Sequence, residues 1–166
     1  MYTMTEHVLF IDSREEFTGS TSNVDFSVLF NRATGGHTGG YPTQSFKNVT
    51  SVELTGFSVN KPFLTENTEN TDENYLVLDI EELNNRLHSN VPEANQAFAT
   101  IYIDDPSRQK SFKGHDFDVK KVQFDPPLSS LSRLTIKVKN PSTRELIEDT
   151  GKTTFIFKIV TQKSTA

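Results

Sequence analysis

The four histidines are the residues of this chain best suited to bind a metal or to transfer a proton at neutral pH. They are His7, His37, His88 and His115. Two imidazoles that bind one metal usually follow a short spacing such as His-x-His or His-Glu-x-x-His. No two of these histidines lie within four residues of each other. We therefore predict that the chain has no metal site of the kind that clustered histidines form in small β-barrel metalloenzymes.

Two groups of carboxylates offer the oxygen ligands that calcium prefers. The larger group lies in one polar stretch and consists of Glu66, Glu69, Asp72 and Glu73. That stretch lacks the Asp-x-Asp-x-Asp-Gly order of a dedicated calcium loop, so a solvated acidic loop is the better interpretation. The second group, Asp104 and Asp105, precedes Pro106 and is typical of a strand end followed by a turn.

Motifs for nucleophilic or phosphate chemistry are absent from the sequence. Serine is common, but no Gly-x-Ser-x-Gly elbow occurs. Gly35–Gly36 and Gly39–Gly40 are predicted to lie in a loop between strands and not in a phosphate-binding loop. Asn48-Val49-Thr50 matches the glycosylation pattern, but it begins a predicted strand in a chain without a signal peptide, so we treat it as a chance match. We predict no catalytic residue, no cofactor, no metal ligand and no enzymatic activity.

The elements that position these residues are predicted to be strands, because apolar residues alternate with polar ones almost throughout. The eight candidates are His7–Ile11, Val24–Phe30, Val49–Val59, Tyr75–Glu81, Phe98–Ile103, Phe117–Phe124, Leu134–Val138 and Thr154–Val160. Eight such strands indicate an all-β sandwich or barrel. At most one short helix is expected, at about Glu81–His88.

Two local features qualify the strand pattern. Gly56 separates the alternation of Val52 and Leu54 from that of Phe57, and a glycine at such a phase change predicts a β-bulge. Pro126-Pro127 is predicted to stop a strand, because proline has no N–H to donate to the ladder. Long polar loops are predicted between the strands, at Asn31–Ser45, Lys61–Asn74, Asp104–Asp116 and Asn140–Thr153.

Composition is consistent with one domain over residues 1–166, with its core at about residues 7–162. The chain has no cysteine and no tryptophan but 13 phenylalanines, so aromatic rings are expected to fill much of the core. No apolar run reaches the length of a membrane-spanning helix, and no signal peptide is apparent. The polar ends, Met1–Glu6 and Lys163–Ala166, are predicted to become ordered only against a neighbour.

Charge is distributed unevenly along the chain. Residues 1–83 contain 13 acids and 4 bases, a net charge of −9, whereas residues 84–166 contain 9 acids and 13 bases, a net charge of +4. Two interpretations remain open: two solvated faces of opposite sign, or complementary faces that meet head to tail in a ring. A separate set of lysines alternates with apolar residues and is typical of a solvent-facing sheet, with a nucleic-acid or membrane surface as the weaker alternative. This set is Lys120, Lys121, Lys137, Lys139 and Lys158.

Three stretches of the chain, in their order and spacing, resemble one protein family. They are Phe10-Ile11-Asp12-Ser13-Arg14 with Asp25-Phe26-Ser27-Val28, Asn48–Leu54 with Glu73–Leu83, and Phe124-Asp125-Pro126-Pro127-Leu128 with Leu131–Val138. Together they resemble the single jelly-roll penton and minor capsid proteins of nucleocytoplasmic large DNA viruses, over about Phe10 to Gln162. The resemblance implies an eight-stranded antiparallel jelly roll of two four-stranded sheets.

The function implied by this resemblance is structural. The chain would be the penton protein, five copies of which close a fivefold vertex of an icosahedral virus shell and contact major and minor capsid proteins. Its expected location is the virion, after synthesis and assembly in the host cytoplasm. The family supplies no catalytic residues, and neither direct nucleic-acid binding nor a membrane span is expected.

Alternative functions remain open at this stage. A minor capsid protein between or under capsomers would carry the same sequence features. A sugar-binding or ligand-binding attachment module is a further alternative, supported by the long polar loops that contain His37 and Tyr41. An enzyme on a jelly roll is the least supported, because the histidine cluster is missing.

Overall fold

The structure, a computed structural model, describes residues 1–13, 25–30, 45–59, 75–83, 87–90, 92, 94–102, 110–113, 120–139 and 153–164. These residues form nine strands. They are β1 (Tyr2–Asp12), β2 (Asp25–Leu29), β3 (Phe46–Val59), β4 (Tyr75–Ile80), β5 (Ala99–Tyr102), β6 (Lys110–Lys113), β7 (Lys120–Leu131), β8 (Arg133–Lys139) and β9 (Thr153–Ser164).

The strands form two antiparallel sheets. Sheet 1 has the order β1-β9-β3 followed by β6 and β7, and sheet 2 has the order β2-β8-β4-β5. Both β6 and β7 run along the same edge of β3, with β6 beside Gly56–Val59 and β7 beside Phe46–Leu54. Together, β6 and β7 therefore occupy one strand position in sheet 1, one after the other. Each sheet is four strands wide, and the predicted all-β sandwich is confirmed.

The strand order is that of a long hairpin that has been rolled up. When β6 and β7 are counted as one strand, the first strand pairs with the eighth, the second with the seventh, the third with the sixth and the fourth with the fifth. Two further pairings, β3 with β9 and β4 with β8, complete the sheets. This is the connectivity of a jelly roll.

Aromatic rings fill the space between the sheets. The ring of Phe155 lies 5.3 Å from that of Phe57, 6.0 Å from that of Phe26 and 6.2 Å from that of Phe157, measured between centroids. Alternation along β9 sends Phe155, Phe157 and Ile159 into the core, where all three are fully buried. The predicted aromatic core is therefore formed by residues of both sheets.

Two bulges bend β3, the longest strand. The pairing of β3 with β9 shifts between Val49 and Ser51, and again between Leu54 and Gly56, so Thr50 and Thr55 are the extra residues. Each threonine hydroxyl donates to the facing carbonyl of β9, Thr50 to Val160 at 3.2 Å and Thr55 to Ile156 at 3.1 Å. The bulge predicted at Gly56 is confirmed.

The prolines of β7 do not end the strand, which corrects the prediction from sequence. Strand β7 continues to Leu131, and its pairing with β3 shifts so that Leu128 faces Val49 and Gln123 faces Ser51. The four residues 124–127 of β7 thus lie opposite Thr50 alone, and Pro126 and Pro127 occupy positions where the ladder requires no donor.

The sequence predicts at most one short helix, at about Glu81–His88. Residues 81–83 form a turn, with the Leu83 N–H donating to the Ile80 carbonyl, and the described residues of that stretch contain no helix. Two further predictions are corrected. Strand β6 lies in a stretch predicted to be a loop. Both ends of the chain, predicted to require a neighbour for order, are paired from Tyr2↔Ser164 to Glu6↔Val160. The predicted loops lie mostly outside the described residues.

Candidate functional site

The structure describes two of the four histidines, His7 and His88, and they lie in different environments. His7 Nε2 lies 3.1 Å from the Thr161 hydroxyl, and its ring packs on Phe46 with the centroids 5.2 Å apart. His88 lies on the exposed connection after β4. His37 and His115 lie outside the described residues, as do Tyr41, the two glycine pairs and both carboxylate groups. Among the residues that the structure describes, no three metal-ligating side chains converge.

An open groove of about 560 Å³ lies beside His7, where the long strands of sheet 1 extend beyond the core. It is lined by Thr5, His7, Ser45, Phe46, Lys47, Asn48, Thr161, Gln162 and Lys163. Asn48, the first residue of the glycosylation pattern, has a positive φ of 50°. The lining combines one aromatic ring with hydroxyl, amide and ammonium groups, a composition suited to a polar ligand.

Part of the charge asymmetry of the sequence is neutralised by ion pairs within the subunit. In the described part of the chain, four ion pairs join an acid before residue 84 to a base after it. They are Glu6–Lys158 at 2.8 Å, Asp79–Lys139 at 2.8 Å, Glu81–Lys137 at 3.2 Å and Glu82–Arg133 at 2.9 Å. A rolled hairpin pairs early strands with late ones, so it places the acidic half of the sequence against the basic half.

Four of the five lysines that alternate with apolar residues in the sequence also lie next to carboxylates. Lys137, Lys139 and Lys158 each contact a carboxylate, and Lys121 faces Glu53 in the register of β7 and β3. The hydrogen bond to Glu81 is the main reason that the pKa of Lys137 is raised above its usual 10.5; burial opposes it, and nearby Asp25 adds to the rise. These residues form mixed-charge sheet faces, as the solvent-facing interpretation predicted, and not a continuous basic surface.

The outer face of β1 carries four of the six large hydrophobic side chains that are exposed in the described structure. Tyr2, Met4, Val8 and Phe10 are 67%, 57%, 77% and 61% exposed. The run Val8-Leu9-Phe10-Ile11 is apolar on both faces, which is typical of a strand covered on both sides. Within the described structure only Leu9 and Ile11 of this run are buried.

The next strand extends this apolar surface. Ile156 and Val160 of β9 point to the outer face and are half-buried, and Ile156 lies beside Phe10 in the register. We call Val8, Phe10, Ile156 and Val160 the outer patch. The ion pair between Glu6 and Lys158 crosses it. An exposed apolar surface is a candidate for a protein–protein contact, although the central ion pair is unusual for one, because charged residues are depleted at the cores of interfaces.

The sequence reasoning missed the outer patch, although the information was present. It predicted a strand over His7–Ile11 without assigning its two faces, whereas four consecutive apolar residues are typical of a strand that is covered on both faces.

No model of a known protein family matches this chain, and no curated protein sequence matches it. No helix within the described ranges has the length and apolar character that crossing a membrane requires.

Proposed function

We propose that this protein is a non-enzymatic structural component of an icosahedral double-stranded DNA virus shell, and that it forms the pentamer at the fivefold vertices. The outer patch is the observation that carries the proposal. It lies on sheet 1, where Val8 and Phe10 are exposed and Ile156 and Val160 are half-buried in the described structure. Sequence resemblance to jelly-roll penton proteins supplies the assignment to a virus shell, and the jelly-roll connectivity of the strands agrees with it.

In this proposal the mechanism is assembly. A two-sheet sandwich is stiff, so the angle between its contact surfaces sets the curvature of a ring, and heterologous contacts close the ring at five copies. The outer patch provides apolar area for contacts with neighbouring copies and with the major and minor capsid proteins around the vertex. Because the described ion pairs lie within the subunit, charge contributes little to these contacts.

The test is the mass and symmetry of the purified protein, by light scattering and electron microscopy, over a range of protein and salt concentrations. We expect fivefold particles whose mass is a multiple of five subunits and which persist at high salt, because apolar contacts are not screened. Val160→Lys places a charge in the outer patch beside Glu6, and we expect it to abolish the rings.

Tyr102→Lys is the matched control, since it charges an exposed aromatic residue on the opposite sheet. We expect this variant to retain the rings. A wild-type protein without fivefold particles would contradict the vertex position and favour the minor capsid position. Rings that dissociate in high salt would contradict the apolar mechanism.

A second candidate function, a sugar-binding or ligand-binding attachment module, is favoured by the groove beside His7. Its hydroxyl and amide lining suits a glycan, and Phe46 offers an aromatic wall. A glycan array tests this candidate. Glycan binding that is lost in Thr161→Val and retained in Tyr102→Lys would favour the attachment module over the shell role. An array without binding would exclude the attachment module.

A further inference from the structure

The outer edge of β1 is longer and less protected against strand addition than the other described sheet edges. In the described structure β1 pairs with β9 alone, and its register with β9 is unbroken over eleven residues. Its sequence, YTMTEHVLFID, contains no lysine, arginine or proline, and its central charge, Glu6, is paired with Lys158 of the same copy. Natural sheet edges usually carry charges, prolines or bulges, or are kept short, because an open edge offers unpaired backbone groups to another strand.

The other three edges carry these devices. Strand β7 begins with Lys120 and Lys121 and contains the bulge at Pro126-Pro127. Strand β2 has five residues, and β5 has four. Among the described strands, β1 is therefore the only long and unprotected edge that two copies of this chain can offer each other.

We infer that β1 pairs with β1 of a second copy of this chain, antiparallel and about a twofold axis at His7. This alignment pairs Thr3–Ile11 with the same segment of the other copy, and it places Met4 opposite Phe10 of the other copy and Glu6 opposite Val8. It joins the two copies of sheet 1 into one continuous sheet and brings the outer patches of the two copies side by side. The contact does not depend on the vertex assignment, since it adds a twofold contact to whatever else the protein forms.

Charge and overlap together select this register. Partners in an antiparallel ladder point to the same face, so only slips by two residues keep Val8 and Phe10 on the outer face. The slip that brings Glu6 opposite Glu6 of the other copy places like charges directly across the ladder, which is destabilising. The opposite slip, which brings Val8 opposite Val8, has no such contact, but it pairs fewer residues of the two strands than the alignment centred on His7.

Cysteine cross-linking tests the inferred register, because the chain has no cysteine of its own. Facing residues have Cβ atoms about 4.5–5.5 Å apart, close to the separation that a disulfide spans. Met4→Cys and Phe10→Cys proteins are mixed with oxidised glutathione and separated on a non-reducing gel. We expect a covalent dimer in the mixture and little in either protein alone. No dimer in the mixture, or equal dimer in one protein alone, would overturn the inference.

Charge variants at Val8 provide an independent test. Val8→Glu faces Glu6 of the other copy, and we expect it to halve the particle mass, from two copies to one or from ten to five. Val8→Lys faces the same glutamate favourably, and we expect the mass to stay as in the wild type. Lys158 lies beside Val8 in the same copy, so within one subunit Val8→Glu is expected to be more stable than Val8→Lys. Misfolding would therefore reduce the particle mass of Val8→Lys first, which is the opposite of the expected order. Equal masses for the two variants would overturn the inference, whether or not rings form.

Discussion

Ser13 and Thr153 exchange two hydrogen bonds at the buried end of the β1–β9 ladder. The Ser13 N–H donates to the Thr153 carbonyl at 2.9 Å, and the Thr153 N–H donates to the Ser13 hydroxyl at 2.8 Å. Both residues are almost inaccessible to solvent. The serine side chain thus takes the place of a backbone carbonyl and joins the first strand of the rolled hairpin to the last.

Replacing Ser13 by alanine removes the hydroxyl from this contact. We expect Ser13→Ala to lower the free energy of unfolding by about 1–3 kcal/mol, because a buried N–H loses its acceptor. Urea denaturation measures the difference. Ser27→Ala is the control, since Ser27 makes a longer, 3.3 Å hydrogen bond to Thr135 at a partly exposed position. An equal loss of stability in both variants would show that the Ser13 contact has no special weight.

Glu82 and Glu81 are neighbours with different roles. Glu82 accepts from the Arg133 side chain and from both the N–H and the hydroxyl of Thr135. Glu81 contacts Lys137 only through an exposed pair. We expect Glu82→Ala to cost about 1.5–3 kcal/mol, as for hydrogen bonds to a charged group, and Glu81→Ala about 0–1 kcal/mol. Thermal and urea unfolding measure the loss of stability in each variant. A larger loss in Glu81→Ala than in Glu82→Ala would contradict this prediction.

The Lys137–Glu81 pair gives a pH-dependent prediction. The pKa of Lys137 is raised chiefly by its hydrogen bond to Glu81. A raised pKa means that the pair stabilises the folded state below the ordinary lysine pKa and that this contribution is lost as pH rises through the raised value. We expect Glu81→Gln to lower the pKa of Lys137, as measured by NMR of its ammonium group. An unchanged pKa would show that Glu81 is not its cause.

Gly56 provides space for a side chain of the neighbouring strand. A Cβ atom at residue 56 would lie 3.0 Å from Cδ1 of Ile156. We expect Gly56→Val to lower the free energy of unfolding by about 1–3 kcal/mol through overpacking. Ile156→Ala in the same chain should recover part of this loss, because it removes the atoms in conflict. Additive losses in the double variant would contradict direct contact as the cause.

The sequence predicted the strands whose side chains alternate between core and solvent. It missed two segments that contain few apolar residues. The first half of β1, Tyr2–Glu6, is exposed on both faces and pairs with the end of β9, and β6 has four residues beside the end of β3. Their sequences, YTMTE and KSFK, are too short and too polar to distinguish a strand from a loop. Val77 is an exception to the alternation along β4. It points away from the main core, yet it is buried, because Ala94 and Ala97 pack against it on the outer face of sheet 2.

The candidate site was harder to predict than the fold. The charge difference between the two halves of the sequence left two interpretations open, two solvated faces of opposite sign or complementary faces that meet head to tail. In the described residues, the topology also places four acids of the first half in contact with bases of the second half. Glu6 and Lys158 are 152 positions apart in the sequence, and only the pairing of the first and last strands brings them to 2.8 Å. Spacing along the chain contains no information about such pairs until the strand order is known.

The rolled hairpin also sets the order in which the protein can fold during synthesis. Strand β1 leaves the ribosome first, yet its described partner, β9, is made last, and residues 7 and 161 of the completed ladder are 154 positions apart. Pairing over such distances is slow, because the chain entropy lost in closing the loop precedes any gain from contacts. Throughout translation, the apolar run Val8–Ile11 has neither face covered and no strand beside it, which makes the nascent chain a substrate for chaperones and a source of aggregation.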